Sequence, residues 1–180
     1  MNTRQKLYLL LIILASCFGC DQVSKRIAKN TLEYAPGKSY LADTFRLRYA
    51  ENSGAFLSLG SGFSESIRTL LFEVLSGGLL IGLLIYILVN RQLDRKHAFA
   101  LSLIFAGGFS NLFDRLVNDG RVIDFMNMGV GSLRTGIFNW ADVVIMTGMF
   151  IILALSFLSK RTQESHATET DSLEAANTPE

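Results

Sequence analysis

An α-helical integral membrane protein is the fold class this sequence predicts, with four transmembrane helices and a small extracytoplasmic β-sheet and loop subdomain. Three observations carry it. Of the 180 residues, 49% are apolar and only 18% are charged, a balance typical of a membrane class. Four apolar stretches recur along the chain, at about 7–22, 67–90, 98–113 and 137–159. Between the first two, Thr44-Phe45-Arg46-Leu47-Arg48-Tyr49 alternates apolar and polar residues, the period of a half-exposed strand.

The first stretch is the shortest. Its fourteen uncharged residues, 7–20, follow Arg4 and Lys6. At about 1.5 Å per residue they reach only about 21 Å of a roughly 30 Å hydrocarbon core. A spanning helix here therefore has to carry Asp21 below the membrane surface. The same length suits the apolar part of a secretory leader, and Leu14-Ala15-Ser16-Cys17 reads like the lipid-attachment site of a bacterial lipoprotein. Sidedness favours a retained helix. Arg4 and Lys6, then Arg91, Arg95 and Lys96 in the tight turn between the second and third stretches, then Lys160 and Arg161 after the fourth stretch all fall on one face if the first helix stays. That face is cytoplasmic by the positive-inside rule, and both termini lie there. Outer loop 23–66 also carries six basic residues, but the clusters touching span ends weigh more.

The second stretch has Glu73 in its first turns, the third carries Asn111 and Asp114 at its far end, and the fourth opens with Asn139 and Asp142. With helices running alternately up and down, these groups and Asp21 gather at one level near the outer, periplasmic surface. Ionisable groups at membrane depth are costly and face a bundle interior or a wet cavity. The plain alternative for any one of them is a polar span end. Residues 1–160 thus form a single membrane domain. Residues 161–180 are polar without an apolar period and are expected to be a disordered cytoplasmic tail.

Several classes are excluded. A net charge of +1 offers no footprint for nucleic acid. Cys17 and Cys20 sit inside the first apolar run and form no disulfide framework. With His97 and His166 the only histidines, no metal or other cofactor is expected. No internal repeat supports an inverted-repeat transporter.

Two aspartates suit chemistry as a pair. Asp124 lies in the apolar setting Val122-Ile123-Asp124-Phe125, and Asp142 lies one turn into the fourth stretch, three residues after Asn139 on the same helix face. If the intervening loop folds back, the two carboxylates meet. Two carboxylates in contact cannot both ionise, so one keeps a proton while the other acts as base, the division of labour of aspartic proteolysis. The structural alternative is a loop acid on backbone amides plus a helix-opening acid favoured by the macrodipole. Ser24 and Lys25 are adjacent and do not face each other on a helix, so they make no dyad.

Five motifs occur in order: Asp21-Gln22-Val23-Ser24-Lys25, Asn52-Ser53-Gly54-Ala55-Phe56, Gly107-Gly108-Phe109-Ser110-Asn111-Leu112-Phe113-Asp114-Arg115, Val122-Ile123-Asp124-Phe125 and Phe138-Asn139-Trp140-Ala141-Asp142. Together they resemble the bacterial lipoprotein signal peptidases, signal peptidase II. The resemblance covers about residues 5–160. It implies an inner-membrane aspartic endopeptidase that cleaves signal peptides on the amino side of a diacylglyceryl-modified cysteine, without a cofactor and as a monomer among membrane lipids. It implies Asp124 and Asp142 as the catalytic pair, and Asn52, Gly54, Asn111, Arg115 and Asn139 as residues that position substrate and acids. Asp21 and Lys25 match the first motif in a supporting role. Three departures stand out: the Asn52 motif is one alanine short, Ser110 stands where the family often has glycine, and the loop 126–136 is atypical. Two rival readings are a lipoprotein anchored through Cys17, and a small ion-coupled carrier built on Glu73 and Asp142.

Overall fold

A computed structural model describes residues 1–54 and 62–176 of the chain. Asn2 starts its first helix. The Asn2 side chain accepts from the Gln5 amide at 2.8 Å, and the Asn2 amide donates back to Gln5 Oε1 at 3.1 Å, a capping box. Helix α1 then runs Thr3–Leu32, 30 residues, well past the 7–22 expected for the first span. The charges that end the apolar run do not end the helix, because Asp21 and Lys25 lie one turn apart and pair at 2.6 Å.

The second span is built from α2 (Glu65–Thr69), a π-helical turn (Leu70–Leu75) and α3 (Ser76–Val89). Helix α4 (Arg95–Val117) starts at Asp94, whose side chain accepts from the His97 amide at 2.8 Å. Helix α5 runs Trp140–Ala176, with Trp140–Ser159 as its apolar part. Among the described residues, four helices are thus long and apolar enough to cross a membrane. Large apolar side chains such as Ile12, Leu79, Phe150 and Leu153 face outward, as lipid-facing residues do. Beyond Ser159 the helix continues to Ala176, where the polar composition led us to expect disorder. No Gly or Pro interrupts 149–178, and extending a formed helix avoids the cost of nucleation.

Close approach of α4 and α5 rests on two glycines. A Cβ on Gly107 would lie 2.5 Å from the Ala141 carbonyl oxygen, and one on Gly148 would lie 2.6 Å from the Ala100 carbonyl oxygen. Gly107→Leu is therefore expected to push the helices apart, with an overpacking cost of about 1–3 kcal/mol. A lower unfolding midpoint in detergent micelles, measured beside an outward-facing control such as Leu153→Ala, checks this. Three apolar clusters fill the bundle. Leu10, Ile87, Leu93, Ala98 and Phe105 lie at the end where α1 begins; Ile13, Leu103, Ala106 and Val144 follow; Ala28, Leu32 and Phe125 lie beneath the sheet. At the first end the buried Lys6 ammonium donates to the Asn90 carbonyl, where it meets the negative end of α3.

The other end carries a four-stranded antiparallel sheet in the order β1 (Lys38–Tyr40), β2 (Phe45–Asn52), β3 (Val122–Val130), β4 (Leu133–Arg134). The expected strand 44–49 lies in β2. The atypical loop 126–136 forms the β3–β4 hairpin, turning at Gly131, whose φ of +56° favours glycine. The chain then returns along β3: Phe138 O accepts from Phe125 N at 3.0 Å and from Met126 N at 2.8 Å. This return is what lays the start of α5 beside Asp124.

Candidate active site

Asn139 joins the two aspartates. It immediately precedes α5, and its side-chain oxygen accepts from the Asp142 amide at 3.0 Å while Asp142 Oδ2 accepts from the Asn139 amide at 3.1 Å. This is a capping-box arrangement, with Asp142 as the acid three residues in. The same Asn139 side chain donates to Asp124 Oδ1 at 2.7 Å, across the β3–β4 return. Local helix-start chemistry thus sets one carboxylate, and strand pairing brings the other to it. Asp124 is 2% exposed. Burial, and then the neighbouring Asp142 carboxylate, push its pKa up to about 7, against the hydrogen bonds from Asn52 and Asn139.

The expected supporting residues lie around this pair. Asn52, at the end of β2, donates to Asp124 Oδ2 at 2.9 Å and accepts from the Gly54 amide at 2.9 Å. Arg115 Nη2 donates to the Gly54 carbonyl at 2.6 Å and Nη1 to the Asn111 carbonyl at 3.1 Å, tying the segment after β2 to the last turn of α4. Asn111 Nδ2 donates to Asp142 Oδ1 at 2.9 Å. Ala55 and Phe56 of the same motif lie outside the described residues. Asp21 and Lys25 sit behind the pair, in a buried ionic cluster with Asp114.

The groups missed at the level of sequence belong to that cluster. Ser110 donates to Asp21 Oδ2 at 2.7 Å, and Gln22 donates to Asp114 Oδ1 at 2.7 Å. The hydroxyl at the glycine-to-serine departure is therefore a working member of the network. Helix spacing puts Gln22 and Lys25 on one face of α1 and sets Asp114 one turn after Ser110 on α4, but only the fold shows that these faces meet. Glu73 lies elsewhere, lining a polar recess with Arg68, Arg115 and Asp119. Cys17 packs half-buried against the Ile13 and Val144 cluster.

Two apolar grooves meet at Asp142. One, about 500 Å³, runs between the second span, α4 and α5, lined by Phe72, Leu80, Ile104 and Met149, with Asn111 and Arg115 at its polar end. Another, about 600 Å³, lies between the sheet and α5, lined by Met128, Phe138, Val143 and Phe150. An apolar approach thus ends on a carboxylate held by amides. Such a site can hold an extended backbone against a proton-sharing acid pair.

Comparison with known proteins agrees with this architecture. Residues 13–158 match the family model for signal peptidase (SPase) II. A lipoprotein signal peptidase of Treponema denticola is 33% identical over 150 residues, 81% of this chain and 87% of the relative. One from Borreliella afzelii is 30% identical over 167 residues, 89% of this chain and 97% of the relative. Two solved structures of bacterial membrane enzymes superpose with TM-scores of 0.73 and 0.69 at 25% and 26% identity. They cover 86% and 81% of this chain, and 90% of each solved chain. The five ordered motifs, the four-helix bundle with its four-stranded sheet and the family match over 13–158 converge: the chain belongs to the signal peptidase II family.

Proposed function

We propose that the chain is a membrane-embedded aspartic endopeptidase that removes signal peptides from bacterial prolipoproteins, cutting on the amino side of the diacylglyceryl-modified cysteine. One observation carries the reading: two carboxylates from different elements, Asp124 on β3 and Asp142 on α5, share Asn139 at the head of apolar grooves. The substrate is itself an apolar helix with two acyl chains, so it enters sideways from lipid. Helical backbone hides its carbonyls in hydrogen bonds, so the scissile segment unwinds before attack.

In the reaction one carboxylate is ionised and the other protonated. Asp124, with a pKa pushed up to about 7, keeps the shared proton below about pH 7. The ionised partner takes a proton from water as its oxygen bonds to the scissile carbonyl carbon, and the protonated acid donates to the carbonyl oxygen. The tetrahedral intermediate then breaks its C–N bond, a proton goes to the leaving amine, and a carboxyl product remains. Asn52, Asn111 and Asn139 hold the acids, and Arg115 holds the backbone at Gly54.

The basic clusters at Arg4 and Lys6 and at Arg91, Arg95 and Lys96 support cytoplasmic termini, with the sheet and the aspartate pair at the periplasmic face of the inner membrane. The chain acts as a monomer surrounded by lipid. Purified protein in lipid nanodiscs is expected to cleave a precursor carrying the diacylglyceryl cysteine and to leave the unlipidated precursor at least about tenfold slower, given the apolar burial the acyl chains bring. Equal rates on both precursors would overturn the lipid requirement, and no cleavage of either would overturn the assignment.

A further inference from the structure

Behind the aspartate pair, away from both grooves, lies one buried ammonium. Lys25 is 2% exposed, and its Nζ lies 2.6 Å from Asp21 Oδ2, 2.8 Å from Asp114 Oδ2 and 3.0 Å from Asn111 Oδ1. Three donors meet three acceptors, the condition under which a buried charge is tolerated. Each of those partners makes a second bond, and all three lead to the aspartate pair. Asp21 Oδ1 accepts from the Ala141 amide at 2.9 Å, the residue before Asp142. Asp114 Oδ2 accepts from the Ile123 amide at 3.3 Å, the residue before Asp124. Asn111 turns its oxygen to Lys25 and to Asn139 Nδ2, at 3.2 Å, so its Nδ2 faces Asp142 Oδ1.

We infer that Lys25 is a positioning residue for the reaction: by tying Asp21, Asp114 and Asn111 together, its ammonium sets the spacing of Asp124 and Asp142. This rests on the reading of those two aspartates as the catalytic pair. The competing role is a plain staple between α1 and α4, which would leave catalysis untouched once the protein is folded. The two roles differ in a measurable way. A spacing device acts on the chemical step and works through Asn111, whereas a staple acts on stability and is independent of Asn111.

The charge of the cluster guides the choice of variants. Lys25 with Asp21 and Asp114 carries a net −1, and Lys25→Met with Asp114→Asn keeps it at −1, with an acceptor still available to the Ile123 amide. In the full-length protein in nanodiscs, cleaving a diacylglyceryl-modified precursor, this double variant is expected to lose about 100-fold in kcat with KM within about twofold, as a misplacement of about 1 Å does. Asn111→Ala is expected to cost about as much. Their combination is expected to fall no more than about tenfold below the worse one, where independent losses would multiply to about 10⁴. Lys25→Arg guards against a variant that does not fold: it keeps the charge, but a planar fork cannot reproduce three convergent contacts. It is expected to lose at least about tenfold in kcat at temperatures where its unfolding midpoint shows it to be folded. Wild-type kcat in folded Lys25→Arg, or fully multiplicative losses in the combination, would overturn the inference while the aspartate reading stands. Cleavage by Asp142→Asn at the wild-type rate would overturn both.

Discussion

Asp142→Asn and, separately, Asp124→Asn are expected to abolish cleavage of lipidated precursor, each by about 10⁴-fold or more, while the proteins still insert and fold. The amide is isosteric with the carboxyl, so the fold has little to lose. At position 142 its oxygen can still accept from the Asn139 amide, and at position 124 it can still accept from Asn139 or Asn52. Chemistry has much more to lose, because an amide neither takes a proton from water nor gives one to a carbonyl. Single-turnover cleavage in nanodiscs, read beside the unfolding midpoint, separates the two effects. Residual cleavage above about 1% of wild type in either variant would remove that residue from the pair, since one general acid–base group accounts for about 10²–10⁴ in rate.

The same pair makes a pH prediction with a definite sign. The Asp124 carboxyl is raised from 3.8 to about 7 by burial and by Asp142. Its protonated form thus predominates below about pH 7 and is lost as pH rises through that value. Cleavage should therefore show an alkaline limb in kcat/KM near pH 7. Asn52 lowers that pKa by donating to Asp124, so Asn52→Ala should move the limb to higher pH, not lower.

Much of this was legible in the residues. Apolar runs located four spans, but the meeting of Asp124 and Asp142 was expected only if the loop between them folded back, with Asp124 read as a loop residue and not as part of β3. Charge set the expected end of α1 too early, at 22 instead of Leu32. Asp21 and Lys25 count against a span when hydropathy is summed along the chain, yet in the fold they offset each other's desolvation cost with Asp114, which is 89 residues beyond Lys25. A pairing across that separation leaves no local periodicity. Lys6 was assigned to a cytoplasmic charge cluster for the same reason, although its ammonium is buried against the end of α3. The π-helical turn at Leu70–Leu75 had no sequence signal, because one extra residue per turn does not alter an apolar composition. Ser110 was visible only as a departure from a motif, and its role required knowing that α4 faces Asp21.

Asn139→Ala tests how far the two acids depend on one side chain. Asn139 is fully buried, donates to Asp124 and to Asn111, and caps α5 through the Asp142 amide. Alanine removes all of these at once. The lost cap costs about 1 kcal/mol of helix stability. The larger consequence is geometric, since Asp142 loses the side-chain half of the capping box and Asp124 keeps only Asn52 among these two amide donors. A loss of about 10²–10³-fold in kcat is expected, as for a reacting group displaced by about 1 Å. Because the Asn139 bond lowers the Asp124 pKa, the alkaline limb should also move upward, as with Asn52→Ala. The comparison between these variants is the sharper measurement. Asn52 touches only Asp124 of the pair, whereas Asn139 serves both carboxylates, so both variants should shift the limb but Asn139→Ala should have the lower maximum. Equal maxima would mean that Asn139 acts on Asp124 alone, and that Asp142 is held by Asn111 and its helix without it.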